Sequence, residues 1–232
     1  MSEEYDEYEY SKKHRKEVLD FINYAQMKAD LNYLKRDISY MLKEYDNDWL
    51  NRISYHEAGH KTVENVLWPF IKNHYYYDKK KSTPMTVAKN YDVLRDMYDD
   101  GEERELHRTR IIDDLAGYAA EALYNKINLN KLGEVLTRLG RMKFYVGGKD
   151  EEESDSYLAF RELMESRFDP FCEGEELNIP QLLKEACEIL TENEDLFEKN
   201  AKSARTYFSK KLKEQEKEEM EKIKNAPKEE IK

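Results

Sequence analysis

Residues 53–67 read ISYHEAGHKTVENVL, and their reading as a helix decides how the rest of the chain is understood. Within them, His56-Glu57-Ala58-Gly59-His60 is an H-E-x-x-H motif. Residues four apart on a helix stand one above the other, so both imidazoles can face a single ion from one side. Glu57 lies about 100° around the helix from His56, near enough to meet a water on that ion without being a ligand itself. Val63, Val66 and Leu67 give the segment an apolar face that has to pack. Ala58 and Gly59 remove side chains in mid-helix, where Gly costs about 1 kcal/mol relative to Ala; a close neighbour would rationalise that cost. The plainer alternative is an ordinary helix carrying two surface histidines.

The ion that suits this donor set is Zn2+, which takes imidazole and carboxylate ligands and brings the pKa of its water near 7. Glu57 is then placed to act as general base toward the water and to pass the proton to a leaving amine. A catalytic zinc usually has a third protein ligand and leaves the fourth position to water. By residue type the candidates are Asp155, Glu121, Asp113, Asp114, His74 and His107. His74 sits in a tyrosine-rich segment and His107 at a helix start, where surface histidines are the simpler reading.

Working outward from the motif, apolar residues recur at helical spacing over 13–44 (Val18, Phe21, Leu31, Leu34, Ile38), with the first dozen residues expected to be disordered. Asp46 to Asp48 supply a break and an N-cap for a helix from Trp49 to about Phe70. Residues 74–90 read as irregular, with Thr83 to Ala88 the best strand candidate; Pro84 suits only an edge strand. Helices are expected over 104–125 and 154–167, and again after Pro180. Gly133, Gly140 and Gly147-Gly148 are read as punctuation between the first two. Beyond Tyr207 the pattern decays into an exposed charged helix or tail.

With 8 Gly and 5 Pro in 232 residues, the composition favours helices, and the expected fold class is mainly α with at most a short edge strand or hairpin. A formal net charge of −11 repels phosphate backbones, so no nucleic-acid partner is expected. Cys172 and Cys187 make no disulfide framework and read as two reduced thiols, half-buried on helices. The acidic start MSEEYDEYEY is unlike a signal peptide, and no run reaches the roughly 20 apolar residues of a membrane span. A cytoplasmic protein with no membrane partner is therefore the expectation.

The stretch Tyr55 to His60 resembles the zinc-binding helix of the FtsH family, the ATP-dependent zinc metalloproteases. Later segments agree in order. Residues 111–121, IIDDLAGYAAE, look like the family's apolar helix with its Gly-Arg-Ala-Ala-Glu-Glu signature. Ser154-Asp155-Ser156-Tyr157-Leu158-Ala159 is similar to its Asn-Asp-Leu-x-x-Ala segment, and the helix from Leu182 resembles the last helix of the peptidase domain. The resemblance implies His56, His60 and Asp155 as zinc ligands and Glu57 as the base. Glu121 becomes either a rival ligand or a partner that orients a histidine. Tyr118 stands where the family has Arg, and Ala122 where it has a second Glu.

The implied organisation is an acidic segment and helical cap over 1–48, a helical zinc-metallopeptidase domain over 49–206, and a charged helix or tail over 207–232. The family carries an AAA ATPase module and a membrane anchor; this sequence has no G-x-x-x-x-G-K-[ST] loop. The implied function is that of a stand-alone zinc metalloendopeptidase, ATP-independent by itself, acting on unfolded or flexible protein segments. A separate ATPase or self-assembly is left open. The alternative from another class is a non-catalytic helical interaction or regulatory protein with a degenerate or structural metal site.

Overall fold

The apolar residues of 103–125 recur so that Ile111, Ile112, Leu115, Ala116, Ala119 and Ala120 are all fully buried, and the helix they form is the spine of the molecule. The computed structural model describes residues 7–43, 49–89, 102–146, 154–169, 172 and 176–225. Among them are seven helices and one hairpin: α1 (Glu7–Lys43), α2 (Trp49–Leu67), β1 (Lys72–Asp78), β2 (Thr83–Lys89), α3 (Glu103–Asn125), α4 (Leu129–Val146), α5 (Asp155–Phe168), α6 (Ile179–Glu192) and α7 (Glu194–Asn225). The protein is mainly α, as expected. No helix among the described residues is long and apolar enough to cross a membrane.

The spine α3 packs on α2, α5 and α6, while α4 packs on α1, α5 and α6. One contiguous core draws on all seven helices, from Leu31 of α1 to Ala201 of α7. Each fully buried Leu or Ile in it contributes roughly 1.5–3 kcal/mol relative to exposure. Lys126, in left-handed conformation, ends α3 by donating its backbone N–H to the carbonyls of Ala122 and Leu123. At the start of α6 the Asn178 side chain accepts a bond from the Gln181 N–H at 3.0 Å, with Pro180 in the first turn.

Of the glycines read as punctuation, Gly147-Gly148 fall outside the described residues, while Gly133 and Gly140 lie within a helix, α4. Its glycines mark close approaches to neighbours: a Cβ at Gly140 would sit 2.2 Å from the Ser156 carbonyl oxygen, and one at Gly133 would sit 2.8 Å from the Pro180 Cα. Helix packing thus outweighs the local cost of glycine. Helix α1 starts at Glu7, within the segment expected to be disordered, and Cys172 lies outside any helix. The N-cap expected at Asp46 to Asp48 falls outside the described residues. A turn at Asn193 separates α6 from α7, and α7 continues unbroken through residues 207–225.

The expected strand is β2, in a two-stranded antiparallel sheet that places Pro84 opposite Tyr77. Its partner β1 was read as irregular because three consecutive tyrosines hide an alternation: Tyr75 and Tyr77 are buried while His74 and Tyr76 are exposed. The two inward tyrosines pack against Ala204 and Phe208 of α7. Tyr75 donates its hydroxyl to the Asn200 carbonyl at 2.9 Å, and Tyr77 donates to Gln215 at 2.8 Å. Asn200 in turn donates to Thr62 of α2 at 2.9 Å. The hairpin is therefore fixed to both α7 and the motif-bearing helix.

Gly140→Ala is expected to destabilise the fold by about 1–3 kcal/mol through overpacking against α5. A urea titration reads this as a lowered midpoint with an unchanged slope.

Candidate metal centre

Helices α2 and α3 run in opposite directions and touch along matched stripes of residues four apart: Arg52, His56, His60 and Glu64 on one, Asp113, Gly117 and Glu121 on the other. Their approach is close enough that a Cβ at Gly59 would lie 2.3 Å from the Ala116 carbonyl oxygen, and a Cβ at Gly117 would lie 2.4 Å from the His56 ring. Gly59 thus has the close neighbour that its place in mid-helix called for. Gly117 leaves the space that the His56 imidazole fills.

Each histidine is tethered by its Nδ1 to α3. His56 Nδ1 is 2.7 Å from Glu121 Oε1, and His60 Nδ1 is 2.8 Å from the Asp113 carbonyl oxygen. Glu121 is buried and is itself held by Arg52 at 3.0 Å. A carbonyl can only accept, and a carboxylate paired with arginine accepts too, so both Nδ1 atoms carry the proton. In the neutral imidazoles both Nε2 atoms then present lone pairs.

Those lone pairs meet a third acceptor. Asp155, the first residue of α5, brings Oδ2 to 3.0 Å from His56 Nε2 and 3.5 Å from His60 Nε2, and the two Nε2 atoms are 3.3 Å apart. This is the one group of three or more His, Cys, Asp or Glu among the described residues whose ligand atoms lie within 4.8 Å of one another. Zinc–ligand distances of about 2.0–2.2 Å in a tetrahedron put ligand atoms roughly 3.3–3.6 Å apart; two of the three separations fall in that range and the third, 3.0 Å, is slightly short of it. Lys143 of α4 donates to Ser154 Oγ at 2.9 Å and so anchors the residue before Asp155.

The three groups also shift one another's proton affinities. Burial works against charging His56, yet the carboxylates of Asp155 and Glu121 outweigh it and hold its pKa well above the ordinary value. For His60, burial is likewise overridden by Asp155, and the pKa stands at about 9. Burial alone would raise Asp155; the two imidazoles reverse this and hold it far below the usual carboxylate range.

Glu57 is 5% exposed, and burial pushes its carboxyl above the ordinary glutamate value. It lines a cleft of about 1070 Å³ together with His56, His60, Asp155 and Thr83 to Thr86 of β2. The Thr86 hydroxyl donates to the Glu57 carbonyl at 2.9 Å, which ties the strand to the motif.

The other residues considered from the sequence fall into different places. Glu121 is on the Nδ1 side of His56, away from the convergence of the three ligand atoms. Asp113 acts through its backbone carbonyl, and Asp114 lines the cleft. His74 is exposed on β1. His107 pairs with Glu162 at 3.6 Å and Asp169 at 3.4 Å, outside the cluster. Arg52 was missed, although its position one turn before His56 puts it on the same helix face. Tyr118 meets His56 edge-on, with ring centroids 5.6 Å apart.

No protein-family model, no curated protein and no solved structure matches this chain.

The neighbouring network gives a measurable acid response. Burial opposes ionisation of Glu162, but His107 and Arg110 beside it override burial and hold its pKa at about 2, below the ordinary 4.5. A depressed carboxylate contributes stability that is fully present above the unfolded value and is lost as pH falls through the folded one. Stability should therefore decline between about pH 4.5 and 2, and Glu162→Gln should flatten that decline in pH-dependent urea unfolding.

Proposed function

We propose that this chain is a zinc metalloendopeptidase with an FtsH-like site, acting without its own ATPase on unfolded or flexible protein segments. The observation that carries the reading is the convergence of His56 Nε2, His60 Nε2 and Asp155 Oδ2 at 3.0–3.5 Å, with both Nδ1 atoms committed elsewhere. Two imidazole nitrogens and a carboxylate oxygen gathered at this spacing are the donor types that zinc takes. The H-E-x-x-H spacing supplies the general base beside it. The order of the Asp113–Glu121 and Asp155 segments along the chain supports the family resemblance.

His56, His60 and Asp155 would hold the zinc, with Glu121 and the Asp113 carbonyl orienting the two rings. Zinc held there would supply a Lewis acid for the scissile carbonyl and would lower the pKa of water toward 7. Glu57 takes the proton from the attacking water and delivers it to the departing amine. Its burial raises its proton affinity toward the working pH, which is what such a relay requires. The unfolded substrate lies in the cleft along β2. Among the described residues β2 pairs only with β1, so its other edge can accept an extended peptide as a further strand. Folded domains lack such a free segment, hence the restriction to flexible chains.

The purified chain should carry about one zinc and cleave an unfolded casein-like protein. Glu57→Gln should retain the zinc and lose roughly 10²–10⁴-fold in turnover, whereas Asp155→Ala should lose the zinc. A wild type that neither binds zinc nor cuts any unfolded protein would remove this reading in favour of a non-catalytic interaction protein. Glu121→Ala is expected to weaken zinc affinity about 10–100-fold without abolishing it, read by competition with a chromogenic chelator.

A further inference from the structure

The two histidines of the cluster are oriented by unlike partners. His60 Nδ1 points at the backbone carbonyl of Asp113, which α3 holds in place and which carries no net charge. His56 Nδ1 points at a side chain, the Glu121 carboxylate, at 2.7 Å. That carboxylate can rotate, and at 2% exposure it is a charge taken almost wholly out of water. The orientation of His56 is therefore only as firm as whatever holds Glu121.

Arg52 holds it. The guanidinium stands one turn before His56 on α2 and meets Glu121 Oε2 at 3.0 Å, while Oε1 faces the imidazole. Each carboxylate oxygen thus has its own partner from the same face of α2, and the two bonds together decide which oxygen meets the ring. Gly117 and Tyr118 confine the ring itself: a Cβ at Gly117 would lie 2.4 Å from it, and Tyr118 abuts it edge-on. Those contacts limit where the ring lies but not which of its atoms points at Asp155. A half-turn about the Cβ–Cγ bond keeps the outline of an imidazole and exchanges nitrogens for carbons. The bond to Glu121 selects the arrangement that aims His56 Nε2 at Asp155 and at His60 Nε2.

We propose that Arg52 is a positioning residue for the metal centre: acting through Glu121, it fixes the His56 ring with Nε2 toward the ion, and zinc affinity depends on its charge. The proposal rests on the zinc reading of the cluster and extends it to a residue outside the cleft walls. Without the cation, Glu121 is left as an unpaired buried charge, a cost it relieves by turning away toward solvent. His56 then loses the acceptor that orients it, whereas His60 keeps its backbone carbonyl.

The test is a double-mutant cycle on zinc affinity in the full chain, read by competition with a chromogenic chelator at fixed pH, with folding checked by circular dichroism. Arg52→Gln should weaken zinc binding roughly ten-fold, the scale on which the partners of metal ligands act. Arg52→Lys keeps the charge and should recover most of that loss. In a Glu121→Gln background Arg52→Gln should cost nothing further, because residues that act through one another are not additive. A residue that merely braces α2 against α3 would show the same loss in both backgrounds. That result would overturn the proposal, as would a Lys variant no better than Gln. Nitrogen–proton correlation spectra of the zinc-loaded imidazoles give a second readout. Arg52→Gln should disturb the Nδ1-protonated pattern of His56 and leave that of His60 intact; an unchanged His56 pattern counts against the role. Tight zinc binding untouched by Arg52→Gln removes the role and spares the zinc site, whereas a wild type that takes up no zinc removes both.

Discussion

The close crossing of α2 on α3 is the constraint on which the rest depends. Gly59 lets the two backbones approach until only a hydrogen fits against the Ala116 carbonyl, and Gly117 leaves a slot into which the His56 ring settles. Because the helices are antiparallel, the four-residue stripes meet in register. Arg52 finds Glu121 at one end, His56 lies over Gly117, and His60 reaches the Asp113 carbonyl at the other. A side chain at either glycine would push the helices apart and leave both imidazoles free to turn. The apolar face of α3 holds this crossing by packing on α5 and α6 at the same time.

Charge is arranged around that crossing with little left to solvent. Taking a carboxylate or imidazolium out of water is costly unless it is paired. Here Arg52 compensates Glu121, Glu121 directs His56, and the two imidazoles compensate Asp155. The chain of contacts fixes tautomers as well as positions, which turns two histidines and an aspartate into a convergent donor set. Arg52 contributes the cation from α2.

The hairpin gives the site its second wall. Tyr75 and Tyr77 are buried against α7, and the Thr86 hydroxyl is fastened to the Glu57 carbonyl. The strand therefore cannot drift from the helix whose residues it faces. The cleft between them continues into a second cavity, with Glu64 and Asp113 in the shared wall. Unlike the acids on the outer helix faces, Glu64 and Asp113 are drawn inside because they belong to the same stripes as His60 and Glu121.

The sequence by itself determined the helices with strong apolar periodicity, the helical class, the H-E-x-x-H pair and the edge strand announced by Pro84. These depend on local spacing and composition, which a single chain displays directly. It also put Asp155 forward, by resemblance rather than by spacing. Only the tertiary structure decided that Gly133 and Gly140 lie inside a helix, because their reason is a neighbour's backbone that no local pattern reveals. It alone placed Glu121 on the Nδ1 side of His56, brought in Arg52, and used the carbonyl rather than the carboxylate of Asp113. Those outcomes follow from the register between two helices whose contacting residues are far apart in the chain (His60 and Asp113 by 53, Arg52 and Glu121 by 69). Spacing along one helix fixes which residues share a face, but only packing fixes which face they meet.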